Sequence, residues 1–93
     1  MLTLDAALRI PDNVLFTVLG GDAVLLNTRS NQYFALDEVG ARAWNLLTEG
    51  KSLRAAYEIL LDEYEVDPVP LERDLLDLVG HLAENGLVES VSA

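Results

Sequence analysis

The sequence predicts an α+β fold, with a three-stranded antiparallel sheet toward the N-terminus followed by three helices. Three observations carry this. Between Val14 and Leu36 the apolar residues come in short β-branched or aromatic runs, separated by polar and glycine-rich turns. From Val39 onward they switch to helical spacing. The stretch Gln32–Gly50, QYFALDEVGARAWNLLTEG, joins the two regimes as strand, cap and helix with no room for a loop.

Met1–Asn13 predicts no regular element. Leu2, Leu4 and Leu8 offer packing groups, and Ile10-Pro11-Asp12-Asn13 ends the segment in turn chemistry. Val14–Leu19 (VLFTVL) reads as the first strand. Gly20-Gly21-Asp22 is a hairpin signal, since both glycines accept positive φ. Ala23–Asn27 is the second strand, Thr28–Asn31 a polar turn, and Gln32–Leu36 the third strand. In that third strand Gln32, Phe34 and Leu36 share one face, Tyr33 and Ala35 the other. Strands at this spacing form a meander.

Asp37 stands where a helix N-cap belongs, accepting from amides that lack a helical partner. Val39, Ala43, Leu46 and Leu47 follow at helical spacing, with Trp44 one step round, and Gly50 fits the C′ position. Ser52 caps a second helix, Leu53–Tyr64. Val66–Pro70 reads as a linker, with Pro70 in the first turn of a last helix that runs to about Asn85 and stops at Gly86. Leu87-Val88-Glu89 reads as a short extended tail.

The last helix has more apolar surface than a helix covering one core requires. At about 100° per residue, Leu71, Leu75, Leu78 and Leu82 lie within about 60° of one another. Leu76, Val79 and Ala83 widen the arc to roughly 160°. One edge of such an arc can be core while the other lines a groove.

The 93 residues read as a single domain, 1–93, cytoplasmic in character. There is no cysteine, no basic start followed by an apolar run, and no apolar stretch near the roughly 20 residues of a membrane helix. Six basic residues against sixteen acidic ones give a formal charge of −10, which repels phosphate backbones and anionic lipid and steers cationic partners. No catalytic, metal or cofactor constellation is present. The one histidine, His81, sits beside Asp74 and Asp77 on a helix flank without metal-ligand spacing. Gly20-Gly21-Asp22 is followed by neither a Lys-Ser/Thr pair nor a helix, so it is not a phosphate loop.

The motifs resemble the PqqD-like family. They are Val24-Leu25-Leu26-Asn27, then Asn31-Gln32-Tyr33-Phe34-Ala35-Leu36-Asp37-Glu38-Val39-Gly40-Ala41-Arg42-Ala43-Trp44, then Tyr64-Glu65-Val66-Asp67, and finally Asn85-Gly86-Leu87-Val88. The resemblance spans roughly Val14 to Glu89. It implies a RiPP recognition element: a winged-helix-like domain, not an enzyme, that holds the leader of a ribosomally made precursor peptide and presents it to a maturation enzyme. In that family the leader adds as a strand beside the third strand and packs on the third helix. The chain departs from the quinone-cofactor protein that names the family, carrying Leu25-Leu26-Asn27-Thr28-Arg29 where an "LLxPE" pattern stands there. Tyr33–Gly40 is more similar to stand-alone elements of lasso-peptide clusters, where the partner is a leader protease.

The residues support such a groove without the family. In a meander, Gln32–Leu36 is an edge strand, a row of unpaired amides and carbonyls with no Lys or Pro to block pairing. Beside an apolar helix, such an edge reads backbone and alternate side chains together. The expected peptide contacts are Gln32, Tyr33, Phe34 and Ala35 on the strand, and Leu71, Asp74, Leu75 and Leu78 on the helix. Other readings are a peptide chaperone of another pathway, such as quinone-cofactor biosynthesis, a structural or toxin–antitoxin-type interaction module, and a winged-helix DNA-binding regulator. Against the last, Arg73 is the only Lys or Arg in the last helix and the net charge is of the wrong sign.

Overall fold

The computed structural model describes residues 3–91; Leu2, one of the expected packing groups, lies outside them. The elements in order are β1 (Ala7–Arg9), β2 (Val14–Leu19), β3 (Asp22–Asn27), β4 (Gln32–Leu36), α1 (Glu38–Thr48), α2 (Leu53–Glu63), α3 (Pro68–Glu84) and β5 (Glu89–Val91). The sheet β2-β3-β4 is an antiparallel meander, registered by Val14↔Asn27 at one end of the first hairpin and Ala23↔Leu36 at one end of the second. The expected strands, helices and antiparallel pairing are all present.

The extended tail lies at Glu89–Val91, with Leu87 and Val88 turning into the core ahead of it, and two further features differ from expectation. The segment read as featureless contains β1, which pairs with the C-terminal tail as a separate two-stranded ribbon, Ala7↔Val91 to Arg9↔Glu89. Three residues are too few to display a period, and their partner lies about eighty positions away, so no local pattern announces the pair. The last helix also begins earlier than expected: Pro68 stands in its first turn as well as Pro70, so the linker is shorter than Val66–Pro70. Both prolines are tolerated because amides at a helix start have no intrahelical acceptor. In the β2–β3 hairpin, only Gly20 adopts positive φ, at +64°.

The caps fall on the expected residues. Asp37 Oδ1 accepts from the Gly40 amide at 2.9 Å, and the Ser52 hydroxyl oxygen accepts from Ala55 at 3.0 Å. Both α1 and α3 end in paired reverse bonds. Gly50 donates to Leu47 and Lys51 to Leu46; Gly86 donates to Ala83 and Leu87 to Leu82. At Gly86, φ is +70° and an added Cβ would lie 2.9 Å from Asn27 Nδ2, so a side chain there is opposed by both backbone and space.

One face of the sheet packs on the helices. Ala23, Leu25 and Leu36 meet Ala43, Trp44 and Leu46 of α1, Leu53, Ala56 and Leu60 of α2, and Leu71, Leu75, Val79 and Leu82 of α3 in one buried cluster. Trp44 meets Phe16 of β2 edge-to-face, centroids 5.8 Å apart. Surface ion pairs link Asp5 to Arg54, Arg42 to Glu63 and Arg9 to Glu89. The hydrogen bonds from Arg54 and Arg42 hold the Asp5 and Glu63 carboxyls below the ordinary range.

Asn27 is the buried polar residue among these apolar groups. Its Oδ1 accepts from Asn13 Nδ2 at 2.9 Å and from the Arg29 amide at 3.0 Å, and its Nδ2 donates to the Asn85 carbonyl at 2.8 Å. Asn27→Ala strands these partners in a partly buried setting, and we expect a loss of about 2–3 kcal/mol. The check is a urea midpoint that falls with an unchanged m-value.

Candidate functional site

In the sheet order β2-β3-β4, no strand among the described residues lies beside the far edge of β4. It borders a cleft of about 560 Å³ whose opposite wall is α3. Phe34, Ala35 and Leu36 supply the strand side. The strand passes into α1 without a loop, so Asp37, Val39 and Gly40 form one end. An added Cβ at Gly40 would sit 3.2 Å from Asp37 Oδ1 and 3.5 Å from Leu36 Cβ, so the small residue keeps this junction tight.

Helix α3 contributes two adjacent rows. Leu71 and Leu75 are buried and continue into Val79 and Leu82, forming the floor and the core at once. Pro70, Asp74 and Leu78, each one turn from the next, form the rim. Ala43 of α1, Leu60 of α2 and Val66 of the linker complete the lining. The over-wide apolar arc on this helix is thereby accounted for: one edge is core and the other lines the cleft.

Of the residues expected at the site, Phe34, Ala35, Leu71, Asp74, Leu75 and Leu78 line this cleft. Gln32 and Tyr33 do not. Tyr33 is 73% exposed on the outer sheet face, because strand side chains alternate and Phe34 takes the inner side. Its backbone remains on the free edge of β4. Leu36, Asp37, Val39, Gly40, Ala43, Leu60, Val66 and Pro70 also line the cleft and are not among the expected contacts. Val39 and Leu60 read as ordinary core positions of their helices, and which flank meets a cleft depends on how three helices pack.

A second cleft, about 670 Å³, lies between β2, the α1–α2 junction and the Ala6–Asp12 segment. It is the larger of the two, yet one of its walls is the chain's own N-terminal segment, and a greater share of its lining is polar. The β4–α3 cleft pairs a free strand edge with an apolar helix face, which makes it the better candidate for an extended ligand.

We expect Leu75→Asp to unfold the chain, because the carboxylate enters the core without a partner. Leu78→Asp, at a half-buried rim position, should leave the circular dichroism spectrum unchanged and alter only what the cleft holds.

No curated protein matches the chain. Among solved structures, one described as TbiB1 in complex with the TbiA(beta) leader peptide superposes with a TM-score of 0.84 at 38% identity, covering 91% of this chain and 99% of that one. A second, described as lasso peptide synthetase B1 complexed with the leader peptide, gives 0.79 at 32% identity over 88% and 96%. The family model for coenzyme PQQ synthesis protein D matches residues 22–88, the stretch that contains every residue lining the β4–α3 cleft, and the chain therefore belongs to the PqqD family.

Proposed function

We propose that this chain is a RiPP recognition protein of lasso-peptide biosynthesis. It holds the leader of a precursor peptide as an additional strand on β4, with alternate side chains in the β4–α3 cleft. The observation that carries the reading is the unpaired, unguarded edge of β4 facing an apolar helix wall, in a chain similar to two lasso-pathway proteins described in complex with leader peptides. An added strand gains main-chain hydrogen bonds along the edge, and the cleft selects among side chains. Gln32, Tyr33 and Ala35 contribute through their backbone, and Phe34, Leu71, Asp74, Leu75 and Leu78 through the cleft.

The chain itself performs no chemistry on the peptide. It acts as a single cytoplasmic domain and hands the leader to a maturation enzyme, the leader protease. The outer face of the sheet suits that second contact. Leu15, Leu26 and Tyr33 stand in one cross-strand row and Thr17, Val24 and Ala35 in the next, with Leu15 56% and Leu19 63% exposed. An apolar patch on a chain of charge −10 is a feature expected of a docking face.

Three experiments test this. A labelled leader, from a precursor encoded beside the chain's gene, should saturate on titration with the purified chain; the absence of any binding would overturn the proposal. Proline placed in turn at Tyr33, Phe34 and Ala35 should alternate in phenotype, since successive amides point inward to β3 or outward. Inward positions should lose stability; outward ones should stay folded and lose leader affinity relative to alanine or glycine controls. Leu15→Asp and Leu19→Asp should keep leader affinity and lower leader cleavage by the partner protease about tenfold.

A further inference from the structure

The β4–α3 cleft is apolar except for two carboxylates, Asp37 and Asp74, and no Lys, Arg or His lines it among the described residues. The two differ in what they are free to do. Asp37 is committed to the first turn of α1 through its bond from the Gly40 amide. Asp74 lies in the body of α3, beyond the amides that a helix start leaves open. It forms none of the ion pairs among the described residues. Three of the chain's arginines are engaged elsewhere: Arg9 by Glu89, Arg42 by Glu63, and Arg54 by Asp5. Arg73 precedes Asp74 in sequence, but a step of about 100° along the helix turns it away.

Exposed, Asp74 is solvated and costs nothing. Its position changes once a strand lies along β4, because that strand fills the cleft and removes water from the rim. A carboxylate desolvated without a partner is penalised, so a peptide with an apolar or acidic residue at that point loses affinity, and one that brings a cation does not. We infer that Asp74 is a specificity-determining residue: it selects peptides carrying Lys or Arg at the inward-facing position over the middle of α3. This rests on the leader-binding reading and names the side chain that reading requires.

The spacing places the neighbouring requirement as well. Asp74 and Leu78 are one turn apart, about 6 Å along α3. Inward side chains of a strand running along the helix repeat every two residues, about 6.6 Å. Adjacent inward positions therefore meet Asp74 and Leu78 in turn. The expected pattern is a cation two residues from an apolar side chain, with an outward-facing residue between them.

The test needs no knowledge of the natural leader. A display library of random 12-residue peptides is sorted on the purified chain and on its Asp74→Asn and Asp74→Lys variants, each first checked for folding by circular dichroism. The wild-type chain should enrich Lys or Arg two positions from an apolar residue. Asp74→Asn should lose the preference for the cation but keep the apolar anchor. Asp74→Lys should replace the cation by Glu or Asp. Resynthesised wild-type binders should weaken roughly 10- to 100-fold against either variant. Enriched peptides with no cation, or a preference that survives in both variants, would overturn the inference and leave leader binding standing. A library that yields no binder to the wild-type chain would overturn leader binding, and this inference with it.

Discussion

The side chain of Asn27 ties together three parts of the chain that otherwise have little reason to meet. It ends β3, accepts from Asn13 ahead of β2 and from the β3–β4 turn, and donates to the carbonyl of Asn85 where α3 stops. That last bond is the one that matters for the cleft. Strand β4 and helix α3 are its two walls, and β4 itself is held by its ladder to β3 and by its loop-free passage into α1. Their separation is therefore set from elsewhere: by α1 at one end, and by the Asn27–Asn85 bond at the other. Gly86 belongs to the same arrangement, since a side chain there would occupy the space of the Asn27 amide. A polar residue surrounded by apolar ones holds its place because its acceptor and donor are both used.

The local parts of this architecture were legible in the residues. Asp37, Ser52, Gly50 and Gly86 mark helix ends through the hydrogen-bond needs of the backbone, which a single residue type satisfies. The alternation in Gln32–Leu36 and the arc on α3 likewise state which side is buried. The β1–β5 ribbon was not legible, because its pairing is a long-range event between two three-residue segments. Nor was the role of Pro68, whose ring fits a helix start as readily as a linker.

The site was legible in the same uneven way. Phe34, Leu75 and Leu78 follow from period and amphipathicity, which are one-dimensional properties. Tyr33 was expected beside the ligand as part of the edge strand, and the alternation that reveals the strand also turns its ring to the outer face. Val39 and Leu60 carry no mark in the sequence that separates a cleft wall from a core. That distinction arises when α1 and α2 pack beneath the gap between β4 and α3.

The β1–β5 ribbon bears on the chain as a topological object. Ala7 and Val91 are opposed in an antiparallel pair, which sets their Cα atoms about 5 Å apart. The backbone from Ala7 to Val91 is thus a nearly closed ring held shut by non-covalent bonds, and a short peptide linker joining those two residues would complete it. New ends opened at the exposed Gly20–Gly21 turn would then interrupt one hairpin and none of the cleft walls, leaving the order β4, α1, α2, α3 uncut. In that sense the site belongs to the cyclic order of the elements.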